Sequence, residues 1–297
     1  MDLKELYPAF KAASDAMASI YDPVFLECAE KYNITRQQIF ILTAVPTFEP
    51  KPVSPAILNI RVPYNSPACY RTILEGMSSA GLLKPVATDQ FRITEQGLDV
   101  LKQTLSRVYT AMAGLQSLPV TKTMDLASRL KDLADACMAA PDPPGIWCIQ
   151  HVRRMDPGPG NPMMVRIDQF LSELTAFRDD AHLASWVHYG CSGHAWEVLT
   201  LLWVELEGTI ESLNRALKRR GFTIEETASA VDELINKGWV RRIDDGQVRI
   251  STAGAEARET AEMLTERFYK EPFTGFAGLE LSRTLDLVKE HRRGLRV

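Results

Sequence analysis

The chain has 297 residues, 45% hydrophobic and 24% charged, with a formal net charge of −4 and a pI near 5.8. This composition excludes a disordered polymer and exerts no global pull on nucleic acid, so any DNA contact must rest on a local basic patch. The N-terminus MDLKELYPAFKAASDAM lacks a signal-peptide core, no stretch reaches membrane-span length, and Cys28, Cys69, Cys137, Cys148 and Cys191 form no CxxC pair; a cytoplasmic location with reduced thiols and no membrane partner is expected.

In chain order, Leu3–Lys31 reads as a helix, followed by an apolar helix over Gln37–Val45, a second over Ser54–Val62 and a third opening at Ser66. Ser66 before Pro67 suits an N-cap with proline at the first helical position. The third helix buries Ile73, Leu74 and Met77 and stops at Gly81. Two short strands follow, LLKPV and FRI, and Thr94 caps the next helix. Leu98–Leu115 and Met124–Ala140 are helical, Pro141–Gly145 is a breaker, and MDPGPGNP (Met155–Pro162) is a loop. A boundary is therefore placed in 141–162, between halves 1–140 and 163–297. Met163–Tyr189 is again helical, and then the earlier order recurs. His194–Leu202 and Glu211–Arg219 precede a third helix opening at the capping box Thr223-Ile-Glu-Glu226. That helix buries Val231, Leu234 and Ile235 and stops at Gly238. Strands WVRRI and QVRI are joined by a turn at Asp244-Asp245-Gly246, Ser251 caps the following helix, and Phe276–Arg293 forms one more.

The recurrence reaches the residue level. FRITEQG (Phe91–Gly97) returns as VRISTAG (Val248–Gly254), and the same offset of 157 from Ile93 to Ile250 pairs Leu42 with Leu199, Thr43 with Thr200, Gly81 with Gly238 and Gln90 with Gln247. Three helices and a hairpin, at about 37–97 and again at about 194–254, make two winged helix-turn-helix units. On AGLLKPVATDQFRITEQG (Ala80–Gly97) and KGWVRRIDDGQVRISTAG (Lys237–Gly254), each half resembles the winged-helix domain of the MarR family of bacterial transcription regulators. The resemblance implies a mainly α protein with small β-hairpin wings, two winged helix-turn-helix domains in tandem joined by helices, forming a pseudo-dimer in one chain. Two features depart from the family. The wing is shorter and lacks the clustered Asp-Arg pattern, so deep minor-groove insertion is not expected, and one chain carries both domains where the family pairs two chains.

The function implied is a transcription regulator that binds double-stranded DNA, open to switching by a small apolar or aromatic ligand, acting as a monomeric pseudo-dimer or as a homodimer. Helix-turn-helix units read bases from the N-terminal half of the recognition helix, with basic residues on phosphates. The candidates are Arg61, Ser66, Ala68, Tyr70, Arg71, Thr72, Lys84 and Arg92 in the first half, and Lys218, Arg219, Arg220, Arg241, Arg242 and Arg249 in the second. The second recognition helix carries Glu225 and Glu226, which phosphates repel, so the first half is expected to read more sequence. Trp186, Trp196 and Trp203 are candidates for an effector site. The absence of GxSxG, P-loop, GxGxxG and HExxH patterns argues against an enzyme, and no cofactor is expected. Two alternatives stand: a non-enzymatic winged-helix interaction scaffold, and a metal or redox sensor using His182, His188, Cys191 and His194 around HYGCSGH, with WCIQH (Cys148, His151) upstream.

Overall fold

The computed structural model describes residues 3–243 and 246–295; Asp244 and Asp245 of the expected hairpin turn lie outside the described residues. Helices α1 (Leu6–Lys31), α2 (Arg36–Ala44), α3 (Pro55–Arg61) and α4 (Pro67–Ser79) precede strands β1 (Leu83–Ala87) and β2 (Gln90–Ile93). Then come α5 (Glu95–Ala113), α6 (Val120–Met138), α7 (Trp147–Arg153) and α8 (Met163–Trp186). The remainder is α9 (Gly193–Glu205), β3 (Glu207–Thr209), α10 (Ile210–Ala216), α11 (Ile224–Asn236), β4 (Val240–Arg242), β5 (Gln247–Ile250), α12 (Thr252–Lys270) and α13 (Gly278–Gly294). The protein is mainly helical with small antiparallel sheets, β1-β2 and β3-β5-β4. Among the described residues no helix is long and apolar enough to cross a membrane.

Two compact units are formed, and neither is contiguous in sequence. One comprises the chain to Val53, Glu75–Ala181 and the chain from Glu266; the other comprises Ser54–Leu74 and His182–Thr265. Residues 141–162, where the sequence places a boundary, fall inside the first unit. They also contain a helix, α7, whose N-terminus is capped from a distance: the Asp180 carboxylate accepts the backbone N–H groups of Cys148 at 2.7 Å and Ile149 at 3.0 Å. Such a cap satisfies orphan helix donors, but its partner lies far along the chain, out of reach of local pattern. Burial pushes the Asp180 carboxyl up to about 6 against those two hydrogen bonds.

In the first unit, α1 turns one stripe inward, Leu6, Phe10, Ala13 and Met17, all fully buried, and packs against α5 and α13. Helix α8 adds Phe170, Leu171, Leu174 and Phe177 to the core. Its buried Glu173 is matched by Arg153, whose Nε donates at 2.6 Å, while Arg153 Nη1 reaches Asp135 at 2.7 Å. A buried carboxylate without such a partner would be strongly destabilising. In the second unit the core gathers Trp186, Trp196, Val198, Leu199, Leu202, Val231, Leu234, Val240 and Val248.

The two hairpins follow one plan. Leu83 pairs with Ile93 and Lys84 with Arg92; 157 residues on, Val240 pairs with Ile250 and Arg241 with Arg249. Thr94 Oγ1 donates to the Gly81 carbonyl at 2.7 Å and accepts from the Gly97 N–H at 3.0 Å. Ser251 Oγ does the same with Gly238 at 2.7 Å and Gly254 at 3.1 Å. Gly97 and Gly254 lie directly against backbone, since a Cβ there would stand 2.3 Å from the carbonyl oxygen of Leu82 or Trp239. The repeated heptad thus encodes one junction: a hydroxyl that closes the hairpin root onto the preceding helix, and a glycine that lets a carbonyl in. Beside β2, in the position β3 holds beside β5, stands a single bridge, Val53 with Phe91.

Candidate nucleic-acid interface

Helices α9, α10 and α11 are joined by a small polar network inside the second unit. Thr223 caps α11, accepting the Glu226 N–H at 3.1 Å while Glu226 Oε2 accepts the Thr223 N–H at 2.7 Å. The Thr227 hydroxyl, buried, sits 3.1 Å from His194 Nε2 and accepts from Asn214 Nδ2 at 2.9 Å, which ties α9, α10 and α11 together. His194 stacks on Phe222 at 3.8 Å, and burial holds its pKa below the usual histidine value.

The outward face of α11 is acidic or neutral: Glu225, Ser229 and Asp232 are exposed, while Ala230, Val231 and Leu234 face the core. Several expected phosphate contacts are engaged by carboxylates. Arg242 bonds Asp232 at 2.6 Å, Arg249 Nε bonds Glu207 at 3.0 Å, and Arg220 Nε bonds Glu197 at 2.9 Å. Paired in this way, each arginine adds little net positive charge to the surface. Lys218, Arg219 and Arg241 are exposed and have no ion-pair partner among the described residues.

Residues 161–296 match a family described as a helix-turn-helix family. The second half of the chain carries a helix-turn-helix domain. No curated protein and no solved structure matches the chain.

The first-half candidates are divided. Lys84 is exposed and has no ion-pair partner among the described residues, Arg92 bonds Glu49 at 2.8 Å, Arg61 is half-buried, and Ala68, Arg71 and Thr72 are exposed. Ser66 and Tyr70, however, are 1% and 5% exposed and face protein. Their cover is the helix-turn-helix domain itself. The Ser66 N–H donates to the Arg220 carbonyl at 2.8 Å, Arg220 Nη1 donates to Asn65 Oδ1 at 3.2 Å, and Asn65 Nδ2 donates to the Tyr70 hydroxyl at 2.9 Å. The Arg220 guanidinium lies 5.7 Å over the Tyr64 ring, whose hydroxyl accepts from Trp186 Nε1 at 3.1 Å. Two glycines admit this segment: a Cβ at Gly193 would be 2.2 Å from the Pro63 oxygen, and one at Gly221, where φ is +76°, 3.1 Å from the Cys69 Cβ. Nothing local in the sequence names what approaches either glycine. Gly193, Gly221, Tyr64 and Asn65 are the residues that sequence reasoning missed.

In the helix-turn-helix domain the tryptophans pack. Trp186 and Trp196 are buried and stacked at 5.3 Å, and Arg258 lies 4.9 Å over Trp196 and 5.0 Å over the half-buried Trp203. Instead of lining an effector cavity, Trp186 and Trp196 fill the core where one was expected. Two open depressions, of about 490 Å³ beside Tyr109 and Asn161 and about 810 Å³ beside Lys4 and Arg292, lie in the first unit without a tryptophan in their walls. The histidine and cysteine candidates also stay apart. His182 Nδ1 is 3.4 Å from the Thr265 hydroxyl, His188 is exposed beside Tyr189, and burial with the nearby Glu233 pushes the Cys191 thiol up to about 11, which disfavours the thiolate needed for metal or redox chemistry. Among the described residues no three His, Cys, Asp or Glu side chains converge as a metal site.

Proposed function

We propose that the chain is a DNA-binding transcription regulator built from two winged helix-turn-helix modules, residues 37–97 and 194–254, similar to the MarR family and paired within one chain. The observation that carries this reading is the shared hairpin plan: the same register, the same hydroxyl closing on a left-handed glycine and the same glycine against a carbonyl, at a constant offset of 157. The helix-turn-helix match over residues 161–296 supports it from the sequence side. Lys218, Arg219 and Arg241, exposed beside the turn before α11 and on its wing, are the phosphate contacts. Binding to duplex DNA, followed as a function of salt, tests it. Neutralising Z phosphates gives a log–log slope of about −0.9Z, so these three residues alone contribute about −2.7. Absence of duplex binding at low salt rejects the reading.

The acidic face of α11 favours a second reading, in which this domain is a docking module for a basic protein surface and the first module alone touches DNA. Substituting Lys218 and Arg219 by alanine separates the two, because the slope shrinks by about two phosphates only if the second module is on the DNA.

A further inference from the structure

The base-reading ends of α4 and α11 begin beside each other. Helix-turn-helix units read bases from the N-terminal part of the second helix, and paired units sit about 34 Å apart, one turn of duplex. Here Ser66, the residue before α4, bonds Arg220 at 2.8 Å, and Thr223, the cap of α11, follows three residues later. The two caps are therefore within about 14 Å of one another. With Ser66 and Tyr70 buried in the same contact, the two ends cannot enter successive major grooves.

We propose that Pro63–Tyr70 and the Arg220–Gly221 turn form an intramolecular latch that closes the two reading ends on each other, and that tight DNA binding requires it to open. This rests on the DNA-binding reading above. The contact is built on both sides. Gly193 and Gly221 lack side chains where the backbone of Pro63 and the side chain of Cys69 come in. Arg220 is aimed by Glu197 so that its remaining nitrogen meets Asn65 and its face meets Tyr64. Tyr64 is held in turn by Trp186, which stacks on Trp196 in the core. What joins the sides includes three hydrogen bonds and one cation–π contact, Ser66 with Arg220, Arg220 with Asn65, Trp186 with Tyr64 and Arg220 over Tyr64, together with the Tyr64 ring packed on the core at Trp186. The polar bonds of this junction can exchange for water on opening at a modest net cost.

Two full-length variants test it, with a fluorescein-labelled random-sequence duplex at low salt as the probe. Tyr64→Phe with Asn65→Ala removes two latch bonds, leaves every expected DNA contact in place, and should bind roughly 10-fold tighter or more, since apparent affinity rises with the open fraction. Gly221→Cys puts a second thiol opposite Cys69 at a left-handed position, with the Cβ positions 3.1 Å apart, closer than the roughly 3.5–4.5 Å that a disulfide spans, so the reduced variant is pried open by its own side chain and only oxidation draws the sides together. Oxidised, this variant should bind about 10-fold more weakly than when reduced, and adding Cys69→Ser should abolish the difference. Circular dichroism and Tm check folding; if the oxidised form does not fold, the opening variant alone decides. Equal binding by wild type and all variants, or tighter binding by the oxidised form, overturns the latch and leaves DNA binding standing. Binding by none of them overturns both.

Discussion

Helices α4 and α11 occupy the same place in the two halves and meet opposite surroundings. The N-terminus of α4 carries Arg71 and Thr72 on its surface but has Ser66 and Tyr70 enclosed, whereas the N-terminus of α11 is open to solvent and lined with Glu225 and Glu226. One helix N-terminus offers a basic side chain and is partly enclosed; the other is open and acidic. Equivalent backbone position therefore does not determine role: side-chain charge and occlusion do.

The largest test of the equivalence itself is at the glycines. Gly97→Val and Gly254→Val each drive a side chain into a carbonyl that a Cβ would already approach to 2.3 Å, and each should cost about 3 kcal/mol or more, read as a fall in Tm. A tolerated substitution in one half would break the parallel between the junctions. Next in size is the contrast in reading. Arg71→Ala should cost about 1–3 kcal/mol of specific DNA affinity and relax preference at one base pair, while Glu225→Gln leaves preference unchanged; competition binding with a selected duplex measures both, and the reverse result exchanges the roles of the halves. Smaller, and expected to be alike, are the caps: Thr94→Ala and Ser251→Ala should each lose about 1 kcal/mol in urea unfolding.

The smallest test concerns pH. Gln37 stands where the second half has His194, and burial lowers the His194 pKa. The unfolded chain then binds a proton that the folded one refuses, so the second unit should lose stability as pH falls from the ordinary histidine value toward the depressed one. His194→Gln should flatten that window in urea unfolding followed by tryptophan fluorescence, to which Trp186, Trp196, Trp203 and Trp239 report from this unit.

What the sequence discloses and what it withholds divide along the range of the interactions. The stripe of α4, the capping box at Thr223, the stops at Gly81 and Gly238 and the two hairpins all arise from residues within a few positions of one another, and they were legible. Helix α7 lies unmarked between the breaker at Pro141–Gly145 and the loop at Met155–Pro162 because its cap, Asp180, is 32 residues away. Ser66 and Tyr70 read as solvent-facing because Arg220 and Gly221 lie 150 residues or more downstream. Trp186 and Trp196 read as ligand candidates because clustering in sequence does not distinguish a filled core from a lined cavity.

The root of each wing has a mechanical consequence. The Thr94 hydroxyl is bonded at once to the Gly81 carbonyl, in the turn that follows α4, and to the first turn of α5, and Gly97 sits close on the Leu82 carbonyl. Helix α5 thus cannot pivot about its own start without carrying the tail of α4 along. A load on any of its 19 residues therefore reaches the C-terminal turn of α4 through this one joint.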